Sequence, residues 1–190
     1  MRSCLAVVAA LAASVGTPAA GLAQVGVGPQ AEAPPPAIAE PRDQAFRGTL
    51  TLAVDATDTD HQIFTVHETI PVQAAGPVTL RYPEWETGSH APTGSVIELA
   101  GLVTRVDGRR LEWHRDPVDL HAFHLDVPAG GRTIAVELQF LAPSSAVLLR
   151  PDLVEVQWQR MLLYPAGWYV RDIPVAARLT LPHGCLFIHI

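Results

Sequence analysis

From position 49 onward, apolar and polar residues alternate with a period of two. Leu50, Leu52 and Val54 alternate with Thr49, Thr51 and Asp55; Ile134, Val136, Leu138 and Phe140 alternate with Glu137 and Gln139. Val154, Val156 and Trp158 alternate in the same way with Glu155, Gln157 and Gln159. Successive side chains of a strand point to opposite faces, so each pattern predicts a strand with one buried and one wet face. On this reading Trp158 is a packing residue. Further strands are predicted near 62–71, 77–82, 95–106, 109–114, 118–127 and 175–181. Turn-forming residues punctuate them: Asp58-Thr59-Asp60, Ala75-Gly76-Pro77, Asp107-Gly108, Ala129-Gly130-Gly131, Pro143-Ser144-Ser145 and Pro165-Ala166-Gly167. Asp107-Gly108 suits a two-residue hairpin whose central positions both need positive φ. Short strands at near-regular spacing, with no long helical pattern, predict an all-β fold, an antiparallel β-sandwich or barrel.

One predicted strand changes phase. In 118–127, Val118, Leu120 and Ala122 share one face, whereas Phe123, Leu125 and Val127 fall on the other. An extra residue at a bulge near Ala122 would restore the alternation.

The first 42 residues follow another pattern. Arg2 precedes an apolar run over 5–15, and small residues lead to Ala23 before Gln24. This is the layout of a secretory signal over 1–23, too short to span a bilayer, and it predicts export to the periplasm or medium. Cys4 precedes the apolar run, so a lipoprotein anchor does not fit. Residues 24–42 carry five prolines among Ala, Gly and Gln and read as an extended linker. The folded unit is then expected over 43–182, with 183–190 as a tail.

Composition narrows the chemistry. The chain holds 13 basic residues, all arginine, against 19 acids, a net charge of −6. That balance, with no basic cluster beyond Arg109-Arg110, argues against nucleic acid as a partner. Removal of 1–23 would leave Cys185 as the sole cysteine, so no intramolecular disulfide is expected. Zinc sites need three or four converging ligands, usually at short fixed spacings. His121 and His124 are three apart and on a regular strand would face opposite ways. His67-Glu68 does not continue as H-E-x-x-H, because position 71 is proline and the segment reads as a strand. No nucleophile elbow, phosphate loop or C-x-x-C is present. No catalytic or metal-binding residue is expected in this chain.

The loop Tyr82-Pro83-Glu84-Trp85-Glu86-Thr87-Gly88-Ser89-His90-Ala91-Pro92-Thr93-Gly94 resembles a signature of the N-terminal domain of the glycyl aminopeptidase family of zinc metallopeptidases. Three further stretches match in order. They are Val54-Asp55-Ala56-Thr57-Asp58-Thr59 leading to Thr69-Ile70-Pro71-Val72, then Trp113-His114-Arg115-Asp116-Pro117 through Ala122-Phe123-His124, and Gln157-Trp158 through Leu163-Tyr164-Pro165-Ala166-Gly167-Trp168. Together they span about 48–182. The resemblance implies a saddle-like β-sandwich ahead of a thermolysin-like zinc domain, often with a PDZ domain beyond. The family's zinc is held by H-E-x-x-H and a downstream glutamate, none of which occurs here. Thr87 stands where the family would have proline, and the tail from Cys185 departs from its pattern, which suggests truncation or a shifted frame.

Within that resemblance, Tyr82, Trp85 and His90 are the candidate substrate-facing residues; the competing expectation is that the loop's aromatics cap the sandwich core. Arg115-Asp116 is expected to form a local ion pair or turn bond. The function expected is therefore a non-catalytic N-terminal domain whose partner is a separate or missing zinc domain. Peptide would be bound only in a complete relative. The alternative is a free-standing periplasmic binding module for a protein or small ligand. An enzyme built on an improvised histidine site ranks third.

Overall fold

The computed structural model describes residues 34–85, 88, 90–92, 94–142 and 147–189. The expected signal segment, the first part of the expected linker, the turn at 143–145 and positions 86, 87, 89 and 93 of the 82–94 signature lie outside the described residues.

The strongest alternations form the longest strands. β1 (Leu50–Asp58), β2 (Ile63–Pro71) and β8 (Thr133–Leu141) each bury every second residue over most of their length. Between them stand β3 (Gly76–Arg81), β4 (Leu99–Val106), β5 (Arg109–Leu111), β6 (Trp113–Arg115) and β7 (Ala122–Val127). After them come β9 (Leu148–Leu149), β10 (Leu153–Val156), β11 (Tyr164–Pro165), β12 (Val175–Thr180) and β13 (Leu186–His189). Among the described residues there is no α-helix, only short 3-10 turns at Trp158–Arg160 and Val170–Asp172.

The strands form a six-stranded sheet in the order β12-β1-β2-β8-β4-β5, a four-stranded sheet β11-β3-β7-β6 and a three-stranded sheet β13-β10-β9. Pairing is antiparallel except between β1 and β12 and between β10 and β13. The fold is the expected all-β sandwich, rich in antiparallel pairs. Its interior packs Leu52, Phe64, Ile70, Leu138 and Phe140 of the large sheet in one cluster with Leu80, Phe123 and Leu125 of the smaller one.

The 106–109 hairpin follows its turn chemistry. Val106 pairs with Arg109, and Asp107 and Gly108 have φ of 50° and 76°. Past it, the run predicted over 109–114 divides at Glu112. β5 completes the large sheet and β6 opens the small one, so the chain changes sheets at that residue.

The bulge expected near Ala122 is absent. β3 and β7 pair without a shift from Gly76↔Val127 to Arg81↔Ala122, and β6 pairs with the same stretch. The strand simply begins at Ala122. Val118 and Leu120, which parity placed on a buried face, are 79% and 54% exposed. They belong to a turn held by Asp116, whose Oδ1 accepts the backbone N–H of Val118 and of Asp119. Among the described residues, register shifts lie instead in β1, between Asp55 and Asp58, and in β4, between Ala100 and Val103, where Gly101 has a φ of 61°. Trp158 is also not a strand residue: β10 ends at Val156 and the chain turns into a 3-10 helix, from which the half-buried indole packs against the core.

One polar residue interrupts the interior. Glu68 shares a face of β2 with Val66 and Ile70 and stands between Leu52 and Val136 in the sheet. It is 2% exposed, and its Oε2 accepts the backbone N–H of Leu163 at 3.0 Å. Among the described residues its Oε1 has no hydrogen-bond partner. Burial pushes its carboxyl up to about 8, against the smaller opposing effect of the Leu163 N–H. At neutral pH it is mostly an uncharged acid.

Candidate functional site

The loop 82–94 leaves the end of β3 and is pinned at its base. Gly94 N donates to Glu84 O at 2.6 Å. A Cβ at position 94 would lie 2.6 Å from the Pro83 carbonyl oxygen and 2.8 Å from that of Glu84, so only glycine closes this neck. His121 locks the same point from β7's side, its Nε2 lying 2.9 Å from Gly94 O. A carbonyl only accepts, so Nε2 carries the proton.

The three residues singled out in the loop take different positions. Tyr82 is 1% exposed, stacks on the His121 ring at 6.2 Å between centroids, and donates its hydroxyl to Arg160 O at 3.1 Å. It caps the interior. Trp85 is 63% exposed and His90 is exposed as well.

Trp85 borders a cavity of 500 Å³, lined also by Pro83, Leu162, Val170, Gln159 and the cluster around Arg81. Val170, from the 3-10 turn Val170–Asp172, is 56% exposed. The wall is therefore part apolar and part charged. Register creates the charged half: Tyr164 of β11 pairs with Arg81 of β3, which pairs with Ala122 of β7. Arg81 Nη2 donates to Glu84 Oε1 at 2.6 Å and to Asp119 Oδ2 at 2.9 Å. Partial burial opposes the guanidinium charge, but the Tyr164, Asp119 and Glu84 oxygens outweigh it and hold its pKa above the ordinary value. Burial likewise raises the Tyr164 phenol, with Arg81 working against the shift.

Glu84, Asp119 and His121 each bring one ligand-type atom within 4.8 Å of the others. They do not suit zinc. The Arg81 guanidinium already bonds both carboxylates, and a dication there would sit against a fixed positive charge. The other histidine of the pair is separate from this cluster. His124 Nε2 lies 2.8 Å from Asp116 Oδ2, and its Nδ1 lies 3.0 Å from Thr79 Oγ1. Asp116 makes the turn bonds expected of it. Its carboxyl is held down at about 2 by the Asp119 N–H, then by His124 and the Val118 N–H. Arg115 instead donates to Leu120 O and lies over the Phe123 ring at 4.6 Å.

Sequence reasoning did not find Arg81, Asp119 or Tyr164, nor the Thr79–His124–Asp116 chain. Parity alone offered part of the signal: Thr79 and Arg81 share one face of β3, opposite to Leu80. The distant partners at 119, 124 and 164 come from cross-strand register, which one sequence does not display.

The model of the Peptidase M61 N-terminal domain matches residues 51–189. Among solved structures, the crystal structure of an aminopeptidase N family protein from Idiomarina loihiensis is similar, with a TM-score of 0.59 and 18% identity. The similarity covers 72% of this chain and 22% of that one, so the chain spans under a quarter of that protein's length. At that identity the likeness speaks for the fold. No curated protein matches. With the family model spanning every strand from β2 to β13 and nearly all of β1, the chain belongs to the Peptidase M61 N-terminal domain family.

Proposed function

We propose that this chain is the non-catalytic N-terminal β-sandwich of an exported, glycyl-aminopeptidase-like zinc metallopeptidase. The observation that carries the reading is the family match over 51–189, which takes in nearly the whole folded unit. No H-E-x-x-H occurs in the 190 residues, and the acidic cluster at Arg81 does not fit zinc. The role left to the domain is to bind and position.

The wall around Trp85 suits that role. Trp85 and Val170 present large apolar side chains to solvent, and Arg81, Glu84 and Tyr164 lie beside them. Exposed apolar groups beside fixed polar ones characterise surfaces that meet another protein or an extended peptide. In this reading a zinc domain supplies the catalytic groups, and the 82–94 loop forms part of the cleft wall. Peptide then lies against Trp85, while Tyr82 and Gly94 hold the loop's shape from behind.

Grafting tests this directly. Residues 43–182 would replace the corresponding domain of a complete, active relative. The graft is expected to retain hydrolysis of glycyl or alanyl amides, and Trp85→Ala within it should lower kcat/KM by about tenfold, the loss of one aromatic contact. A folded graft whose activity is indifferent to Trp85 would overturn the assignment of that wall.

A further inference from the structure

The six-stranded sheet ends on β12, and no strand among the described residues pairs with the outer edge of that strand. The other sheet edges are blunted by their length: β5 and β6 have three residues, β9 and β11 two, and β13 four. β12 has six, with no proline, no register shift and a single charged residue, Arg178. An edge of that kind is a template for another strand.

β1 sets the backbone phase of this edge. Leu50 N donates to Pro174 O at 2.9 Å, and Leu50 is the register partner of Val175. In a parallel ladder such a residue bonds the two residues that flank its partner. Ala176, Arg178 and Thr180 therefore turn their backbone groups toward β1, whereas Val175, Ala177 and Leu179 turn theirs outward. The same three residues are register partners of Leu50, Leu52 and Val54, so their side chains lie on the inner face of the sheet. On that face Leu50, Leu52 and Val54 are at most 1% exposed, but Val175 is 42% exposed and Ala177 is exposed as well. Outward amides and an uncovered apolar row thus fall on the same residues.

A second β12, running antiparallel, matches every one of these features. A two-fold axis perpendicular to the sheet keeps both inner faces on one side, so paired positions must share parity. Centred on Ala177, the axis sets Ala177 against Ala177 of the second copy, and Val175 against Leu179 in both directions. These are the residues with outward amides, so each of these pairs is hydrogen-bonded. Arg178 then faces Ala176 of the second copy. Centring on Arg178 would set two guanidinium side chains directly opposite each other, which destabilises a strand pair. Centring on Ala176 would carry Leu179 past the end of the second strand, opposite Ile173.

We propose that β12 is a homodimer interface, in which two copies pair antiparallel about Ala177 and join their six-stranded sheets into one. The proposal rests on β12 alone and is independent of the peptidase reading.

Sedimentation equilibrium of the full chain, with amide hydrogen exchange at low and high concentration, tests it. A monomer–dimer equilibrium is expected, micromolar or weaker because one strand pair is smaller than a standard interface. Exchange at Val175, Ala177 and Leu179 should slow as concentration rises, while Ala176, Arg178 and Thr180, already bonded to β1, should change little. Ala177→Pro removes an outward N–H that β1 does not use, and edge strands tolerate proline there. It should abolish the dimer and leave Ala176 and Arg178 protected. Ala176→Glu sets a carboxylate opposite Arg178 of the second copy and should tighten the dimer by about fivefold at low salt. A chain still monomeric at about 1 mM would overturn the proposal, as would a dimer whose outward amides exchange as in the monomer or one indifferent to both changes.

Discussion

Glu68 is the residue whose chemistry departs furthest from its sequence appearance. A carboxyl held near pH 8 in the folded chain, against an ordinary 4.5, keeps a proton that the unfolded chain has already lost. Its contribution is thus complete below about pH 4.5 and declines as pH rises to 8, by roughly 1.4 kcal/mol per unit and on the order of 5 kcal/mol across the window. Urea unfolding of the wild type is expected to show this slope, and Glu68→Gln to flatten it and to be the more stable form at pH 8. A wild type of constant stability from pH 5 to 8 would contradict the placement of this side chain. Asp116 acts on the opposite limb. Its carboxyl sits near 2 rather than 3.8, so its contribution is complete above about pH 4 and is lost as pH falls toward 2. Asp116→Asn should therefore be less acid-sensitive between pH 4 and 2 while melting lower at pH 7, a comparison that thermal scans at both pH values settle. Some of this was legible. Position 68 falls in phase with Val66 and Ile70, so parity alone puts Glu68 on the buried face; the Leu163 N–H that receives it lies 95 residues away and leaves no trace in the local pattern.

At the scale of elements, strict alternation was a sound guide where it persisted for several residues. β1, β2 and β8 stand where the period-two runs placed them, as does the Asp107-Gly108 hairpin. Alternation misled where a turn lay inside an apolar run. Val118 and Leu120 mimic one face of a strand, yet Asp116-Pro117 before them is a turn signal: Asp accepts local N–H groups and proline fixes the next φ. That chemistry ended the strand, and the inferred bulge was unnecessary. The 109–114 run failed for another reason, because a change of sheet at Glu112 is a tertiary event. The 82–94 loop rests on one glycine. Gly94→Ala would drive a methyl against two backbone carbonyl oxygens, which cannot rotate away as a side chain would. The expected cost is about 1–3 kcal/mol of stability, together with faster hydrogen exchange at Gly94 and Tyr82. An unchanged melting temperature with unchanged exchange would show that the neck is not the anchor.

For the whole molecule, a peptidase N-terminal domain was legible before any coordinate, because four motifs occur in one order along the chain. The geometry of the candidate site was not, since Arg81, Asp119 and Tyr164 meet only through the pairing of β11, β3 and β7. In the proposed function the fold supplies an exposed indole and a charged wall beside a neck closed at Gly94. Trp85 and Val170, both exposed around one cavity, are the apolar groups that the proposed function sets against another surface. The most direct measurement is an assay of the purified chain on glycyl and alanyl amides together with its metal content. The account expects no turnover and no bound zinc, with or without added zinc. Stoichiometric zinc accompanied by hydrolysis that Glu84→Gln abolishes would contradict it.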